Sequence, residues 1–183
     1  MSRNHLTLEP HTVEDGRQYL LMVVQRGIRR VSDALVGGAV IVRPAWTTFE
    51  ETVAGLVAQL ISATQLPDTL AEAAVRRVCE REAMASTAMV DIGVSIPHAR
   101  LDGITGIVTA MAVSNGAVYQ VADGAPISIV LLVLSSPALS GEHLTFLSAA
   151  SMLLQPERVR TELRNASSVQ QVLQLIREYE GVR

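Results

Sequence analysis

One histidine of this chain occupies a position suited to nucleophilic chemistry. His98 stands in the segment 96–100, I-P-H-A-R, directly after β-branched residues that predict a strand. A proline fixes its own φ and biases the preceding residue towards extended geometry, so we expect a stiff backbone in the loop that presents this imidazole. A neutral imidazole is a good nucleophile near pH 7. His98 is therefore a candidate nucleophile, although a structural or surface histidine would have the same local sequence.

The other side chains that commonly carry chemistry are few. His143 lies near the predicted start of a helix, His5 and His11 lie in a polar leader, and the single cysteine, Cys79, lies in a helical pattern. A lone cysteine forms no internal disulfide and offers no metal cluster. Free cysteine is also commonly a buried packing residue. We therefore expect a packing role for Cys79, with no internal disulfide and no metal cluster.

Composition bounds the class of protein. The chain has 183 residues, of which 49% are hydrophobic and 18% charged, with a formal net charge of −3. This suits one domain with a real core and argues against global disorder. No basic face is evident, so nucleic-acid binding is not expected. The chain has no apolar run near the roughly 20 residues that cross a bilayer. Residues 1–10 lack the apolar core of a signal peptide, so we predict a cytoplasmic protein.

Apolar periodicity divides the chain into blocks of helix and strand. A basic amphipathic helix is predicted over residues 12–35; it either packs on its own domain or a sister subunit, or lies on a membrane surface. A capping box of Thr48 and Glu51 predicts the start of the next helix. Further helices are predicted from 68 to 82 and from 140 to 154, the latter with Leu144 on its apolar side. After an interruption at residues 155–156, a short helix is predicted to end at residue 164, and a last helix to begin at residue 167. Strands are predicted over Met89–Ile96, Ile104–Val113 and Ile127–Leu134.

The order of these blocks predicts the fold class. The Ile127–Leu134 segment is nearly all apolar, as expected of a strand covered on both faces. We therefore predict an α/β three-layer sandwich with a mixed central sheet flanked by helices, plus an extra N-terminal helix. Residues 1–44 are expected to form the leader and the amphipathic helix, and residues 45–183 the main domain.

Three stretches of the main domain carry a family resemblance. Residues 81–100, R-E-A-M-A-S-T-A-M-V-D-I-G-V-S-I-P-H-A-R, resemble the signature R-E-x-x-x-S-T-G-I-G-x-G-I-A-I-P-H-A-R. That signature is typical of the fructose/mannitol-type IIA domains of the bacterial phosphoenolpyruvate-dependent sugar phosphotransferase system, including their nitrogen-regulatory branch. Residues 123–126 are similar to the family's D-G-x-P-V turn, and residues 137–144 to its P-x-x-x-x-x-E-H-L. The similarity runs from about residue 48 to residue 176.

The resemblance implies a phosphohistidine carrier for sugar transport or nitrogen regulation. A histidine-containing phosphocarrier protein would donate the phosphoryl group, and a IIB domain or a regulated target would receive it, with no cofactor. Carried over by position, His98 is the acceptor, and Arg81 and His143 support the phosphoryl group. A guanidinium offers a planar donor fork to phosphoryl oxygens, and a helix N-terminus adds a favourable field. Ser86 and Thr87 are candidate hydroxyl donors.

The approach to His98 departs from the family pattern. Ala88 and Val90 stand where the family has glycine, and one extra residue lies between Arg81 and His98. Glycine permits positive φ, so we expect a different backbone path, such as a bulge. This motivates the alternative hypothesis of a IIA-like binding or regulatory module that has lost phosphotransfer and acts by protein–protein contact. The helix over residues 12–35 is a candidate homodimer contact.

Overall fold

The computed structural model of the protein describes residues 30–35 and 39–181. The helices are α1 (Val31–Ala34), α2 (Phe49–Ser62), α3 (Ala71–Met84), α4 (Ser140–Leu154), α5 (Glu157–Asn165) and α6 (Val169–Tyr179). The strands are β1 (Val40–Val42), β2 (Ala88–Met89), β3 (Val94–Ser95), β4 (His98–Arg100), β5 (Ile107–Val113), β6 (Tyr119–Gln120), β7 (Pro126–Ile127) and β8 (Ile129–Ser135). Short 3₁₀ turns lie at Asp68–Leu70 and Val90–Ile92. Most of the predicted helix over 12–35 lies outside the described residues, and within the predicted range α1 begins only at Val31, because Arg30 is extended.

The central sheet is mixed, with strand β8 at its middle. Its order is β1-β5-β8-β3-β2, and β4 also pairs with β8. Strand β5 is antiparallel to β8, whereas β3 and β4 both run parallel to it, one after the other. The chain therefore runs alongside β8 twice in succession, first as β3 and then, after residues 96–97, as β4. A separate small sheet pairs β6 with β7.

Strand β8 is buried on both faces, which explains its continuous apolar sequence. Ile129, Leu131 and Val133 belong to one core cluster, which also holds buried residues of α1, α4, α5 and α6. Val130, Leu132 and Leu134 belong to the other, together with buried residues of α2 and α3. Because side chains alternate across a strand, this division marks two helical layers on opposite faces. The predicted three-layer α/β sandwich with a mixed central sheet is confirmed.

The N-terminal end of the described chain packs into the first of these cores. Val31, Ala34 and Leu35 are all 2% exposed or less. Strand β1 pairs in parallel with β5, so residues ahead of the predicted boundary at 45 contribute to the central sheet. Within residues 30–35 and 39–181, no helix is long and apolar enough to cross a membrane.

Local signals located some elements correctly and failed for others. The capping box is confirmed, because Thr48 Oγ1 accepts from Glu51 N at 3.1 Å and Glu51 accepts from Thr48 N at 3.2 Å. The single strand predicted over Met89–Ile96 was wrong, since a 3₁₀ turn divides it into β2 and β3. Leu144, predicted on the apolar side of its helix, is 63% exposed. Helix α4 instead buries a face that includes His143 and Phe146.

Candidate functional site at the end of the central sheet

Two histidines and an arginine meet in one cleft where three elements end or begin. His98 is the first residue of β4 rather than part of a loop, His143 lies in the first turn of α4, and Arg81 lies in the last turn of α3. All three line a cleft of about 420 Å³, called the histidine cleft below. Its lining residues are Arg77, Glu80, Arg81, Met84, His98, Ala99, Arg100, His143 and Leu144.

The backbone next to His98 determines which of its ring nitrogens is nucleophilic. His98 Nδ1 lies 2.9 Å from the carbonyl oxygen of Ile96. A carbonyl only accepts, so Nδ1 carries the proton and Nε2 carries the lone pair. The strand itself is anchored, because Val133 N donates to Pro97 O at 2.9 Å and His98 pairs with Val133 in the parallel register. A half-buried imidazole is thus held with Nε2 as its available nucleophile.

His143 is the second imidazole of the cleft and is kept neutral. The ring centroids of His98 and His143 lie 5.5 Å apart, with the planes inclined by 59°. His143 is only 4% exposed, and its Nδ1 lies 2.7 Å from Ser135 Oγ. Burial lowers the pKa of His143 to about 4, helped by the nearby charges of His98 and Arg100. At neutral pH its ring is therefore uncharged, with one donor and one acceptor nitrogen.

Arginines give the histidine cleft a cationic wall. Arg81 Nη1 donates to Ala85 O at 2.9 Å, the carbonyl that follows helix α3. This bond uses one of five N–H donors, so the guanidinium can still contact an anion. Arg77 and Arg100 line the same cleft, and the one acidic lining residue, Glu80, lies 3.5 Å from Arg77 Nη1. Such a wall favours a ligand with several anionic oxygens.

The predicted hydroxyl donors lie beside the histidine cleft and are engaged elsewhere. Ser86 and Thr87 line a smaller cleft of about 210 Å³ that also contacts Arg81 and His98. Ser86 Oγ donates to Glu82 at 2.7 Å, and Thr87 Oγ1 donates to Glu82 at 2.6 Å. The backbone N–H of Thr87 donates to the same carboxylate at 3.0 Å. The Glu82 carboxylate thus accepts a hydrogen bond from both hydroxyl groups. A phosphoryl group would have to compete with Glu82 for these two donors.

With this geometry in place, comparison with known proteins is informative. Residues 38–179 match the family model described as phosphoenolpyruvate-dependent sugar phosphotransferase system, EIIA 2. The chain belongs to this family. The matched region contains the whole histidine cleft and begins two residues before strand β1.

The EIIA chain is similar to a nitrogen regulatory protein and to a sugar-specific EIIA component. It is 30% identical over 127 residues to a nitrogen regulatory protein of Pseudomonas aeruginosa, covering 69% of this chain and 79% of that one. It is 35% identical over 108 residues to a fructose-specific EIIA component of Haloferax volcanii, covering 58% and 70%. The EIIA fold also matches a solved complex of mannitol enzyme IIA with phosphorylated mannitol enzyme IIB from Escherichia coli. That match has a TM-score of 0.61 at 18% identity and covers 77% of this chain and 95% of that one.

The loop that leads to His98 in this EIIA domain is formed without backbone strain at Ala88 and Val90. Among the described residues, the non-glycines with positive φ are Arg43 and Thr64, so Ala88 and Val90 both have negative φ. The positive φ of the loop, +67°, falls at Gly93, where an added Cβ would lie 3.3 Å from Pro126 O. Glycine is thus retained at the loop position that has positive φ. Just before this glycine, the approach to His98 forms the 3₁₀ turn Val90–Ile92.

Sequence reasoning missed several residues of this EIIA site. Ser135 contacts His143 and Glu82 organises the Ser86–Thr87 pair, but neither was assigned a role. Ser135 has no sequence signal, because a serine at the end of a buried strand is common at turns. Arg77 had a weak signal, since it lies one helical turn before Arg81 and therefore on the same face of α3.

The described part of the chain contains no group of three or more His, Cys, Asp or Glu residues arranged to hold a metal. Cys79 is half-buried, and burial together with the nearby carboxylates Glu50 and Glu82 raises the pKa of its thiol. A thiol with a raised pKa is a poor nucleophile near neutral pH, so Cys79 is not a candidate nucleophile of this EIIA domain.

Proposed function

We propose that this EIIA domain is a phosphohistidine carrier in which His98 Nε2 accepts a phosphoryl group from the histidine-containing phosphocarrier protein. The observation that carries the proposal is the 2.9 Å contact between His98 Nδ1 and Ile96 O in a cleft walled by arginines. The contact keeps the proton on Nδ1 and points the chemistry to Nε2. Membership of the EIIA family supports the same role in general terms.

The transfer step is an exchange of one nitrogen–phosphorus bond for another. The lone pair of His98 Nε2 forms a bond to phosphorus as the bond to the donor imidazole breaks, and the donor nitrogen keeps that electron pair. No proton has to leave His98, because Nδ1 keeps its proton and continues to donate it in a hydrogen bond to the Ile96 carbonyl. Charge on the transferring group is spread over its equatorial oxygens, so positioning and electrostatic stabilisation supply most of the catalysis. We assign that stabilisation to Arg81 and His143.

The partners follow from this chemistry. The donor is a second protein, and the receiver is either a IIB domain or a regulated target. The mannitol complex, in which enzyme IIA is bound to phosphorylated enzyme IIB, supports the first receiver, and the Pseudomonas nitrogen regulatory protein supports the second. A cytoplasmic location belongs to the same proposal. A homodimer through residues 12–35 and a division of the chain at residue 44 stay predictions from the sequence.

The decisive experiment is phosphotransfer in vitro. We expect incubation with phosphoenolpyruvate, enzyme I and the histidine phosphocarrier to add one acid-labile phosphoryl group, seen by intact mass. The His98→Ala variant should gain none while keeping the unfolding transition of the parent, because His98 is half-buried and its ring makes one hydrogen bond, to Ile96. Ring ¹⁵N shifts of the phosphorylated parent should place the group on Nε2. Retained labelling of His98→Ala would exclude this site.

The alternative is an EIIA-like module that binds partners without phosphotransfer. It was motivated by the replaced glycines, yet Ala88 and Val90 adopt negative φ without strain. An unlabelled parent, tested with donors from its own organism, together with normal target binding by His98→Ala, would favour this alternative.

A further inference from the structure

A buried serine hydroxyl lies behind the second imidazole of the histidine cleft. Ser135 is the last residue of β8 and is 0% exposed, with its Oγ 2.7 Å from His143 Nδ1. Its backbone is held from both sides, because it pairs with Arg100 of β4 and Ile107 of β5. Its carbonyl also accepts from Leu101 N at 2.9 Å. The hydroxyl is therefore held on a rigid strand rather than on a mobile loop.

The burial of Ser135 decides the direction of its hydrogen bond. Within the described residues, His143 Nδ1 is the one hydrogen-bond partner of the Ser135 hydroxyl. If His143 donated to Ser135, the hydroxyl proton would be left buried without an acceptor, which is unfavourable. If Ser135 donates, its proton is satisfied and Nδ1 serves as the acceptor. His143 is neutral, so its single ring proton then resides on Nε2.

We infer that Ser135 is a positioning residue for phosphoryl transfer, holding His143 in the tautomer whose Nε2–H donates to the phosphoryl group on His98. The inference rests on the proposed function. It makes the two imidazoles complementary, since His98 offers a lone pair at Nε2 and His143 offers an N–H. The nearby Arg81 guanidinium supplies further donors to the same oxygens.

A hydroxyl also suits the state after transfer. A phosphoryl dianion beside His143 favours the imidazolium, in which both ring nitrogens carry protons. Nδ1 then becomes a donor, and Ser135 can accept from it after rotation about its Cβ–Oγ bond, at the cost of leaving the buried hydroxyl proton without an acceptor. Serine therefore offers His143 Nδ1 a partner in both states and favours the neutral ring, whereas alanine offers a partner in neither state.

The test combines a spectroscopic readout with a transfer rate. Long-range ¹H–¹⁵N spectra of the uniformly labelled parent at neutral pH should show His143 with a protonated Nε2 and an unprotonated Nδ1. Ser135→Ala should shift these resonances towards a mixture of tautomers, and its single-turnover acceptance of phosphoryl from the phosphocarrier should slow about tenfold, as expected for one lost hydrogen bond. Ser135→Thr, which keeps the hydroxyl, should restore both readouts.

A matched control separates positioning from general packing. Ser128 is also buried, lies just before the same strand, and donates from Oγ to Gly116 O away from the cleft. We expect Ser128→Ala to leave the His143 resonances and the transfer rate unchanged.

The outcomes distinguish the two hypotheses. A parent with the proton on Nδ1 of His143, or a Ser135→Ala variant with unchanged His143 resonances and rate, would overturn the inference while leaving phosphotransfer intact. A parent that accepts no phosphoryl group would overturn the proposed function, and the transfer role of Ser135 with it, whatever tautomer His143 adopts.

Discussion

The imidazole rings of His98 and His143 lie 5.5 Å apart between centroids, yet their surroundings give them different chemical properties. His98 is half-buried at the cleft wall and bonds a backbone carbonyl, so it can act as a nucleophile. His143 is buried and bonds a hydroxyl, and burial lowers its pKa to about 4. The second ring therefore remains an uncharged donor under conditions where an ordinary histidine begins to protonate.

The pKa of His143 predicts a pH-dependent stability. The unfolded chain takes up a proton at this residue near pH 6.5, whereas the folded chain does so near pH 4. The unfolded state thus binds more protons between these values, so stability is lost as pH falls through this window. We expect this residue to reduce the free energy of unfolding by roughly 2 kcal/mol between pH 7 and pH 4.5.

Urea unfolding at the two pH values measures this effect against His143→Gln. The variant removes the titrating group, so its stability should change less between pH 7 and pH 4.5 than that of the parent. Other titrating groups are common to both proteins and cancel in the comparison. An identical pH dependence in the parent and in His143→Gln would show that His143 titrates normally in the folded protein.

At the scale of elements, a carboxylate fastens α1 to the end of α6. Glu180 is 3% exposed, and its two oxygens accept from Val31 N at 2.7 Å and from Ser32 N at 3.0 Å. These N–H groups belong to the first turn of α1, which lacks a side-chain cap from Arg30. A carboxylate there satisfies donors that a helix N-terminus leaves unpaired. Glu180 and α1 both lie outside residues 38–179, the region matched by the EIIA family model.

Loss of the Glu180 carboxylate should loosen α1. We expect Glu180→Ala to lower the free energy of unfolding by about 2 kcal/mol, because two charge-assisted hydrogen bonds are lost and their donors lose their buried acceptor. Amide hydrogen exchange over residues 31–35 should accelerate more than exchange in β8. Glu178→Ala is the matched control, since this glutamate is exposed and its Oε1 bonds Gln174 at the surface.

Equal exchange rates in the parent and in Glu180→Ala would show that apolar burial alone holds α1. Burial raises the pKa of Glu180 above its ordinary value, so the folded state binds the carboxyl proton more tightly than the unfolded state does. Stability contributed by this group is greatest below the ordinary carboxyl pKa and is lost as pH rises through the folded-state pKa. This sign is opposite to that of His143, and Glu180→Gln should remove it while keeping an acceptor oxygen.

At the scale of the whole molecule, the histidine cleft opens between two exposed apolar side chains. Met84 is 82% exposed and Leu144 is 63% exposed, and both line the cleft. They lie on different helices, α3 and α4, on a wall that also carries Arg77 and Arg100. The phosphocarrier partner should therefore dock on a rim that is partly apolar and partly cationic, rather than on a purely apolar surface.

The rim predicts a defect in docking without a defect in folding. We expect Met84→Ser combined with Leu144→Ser to raise the KM for the phosphocarrier about tenfold, because each substitution removes apolar area from the contact. The unfolding transition should stay within about 0.5 kcal/mol of the parent, as usual for surface changes. Val90→Ser is the matched control, since Val90 is 45% exposed and lines neither cleft. An unchanged KM for the double variant would place the docking surface elsewhere.

Elements with local signals were predictable, and those that depend on pairing were not. Helix α4 spans the predicted residues 140–154, and α2 begins after the predicted cap Thr48. Caps and apolar periodicity act within a few residues, so they are visible in the chain. The β2–β3 hairpin was missed because its turn depends on Gly93, whose carbonyl accepts from Ser128 N at 2.8 Å and Ile129 N at 3.2 Å. Those partners lie 35 or more residues away in the sequence.

By itself, the sequence determined the three-layer fold, the family resemblance and the candidate acceptor His98, because periodicity and motif residues are properties of short segments. The tertiary structure alone decided that burial lowers the pKa of His143, that Ser135 Oγ lies within hydrogen-bonding distance of His143 Nδ1, that Glu82 accepts from the Ser86 and Thr87 hydroxyls, and that Leu144 is exposed to solvent. Protonation, tautomer and exposure depend on desolvation and on partners from other strands and helices. Only the packed molecule brings those partners within hydrogen-bonding distance.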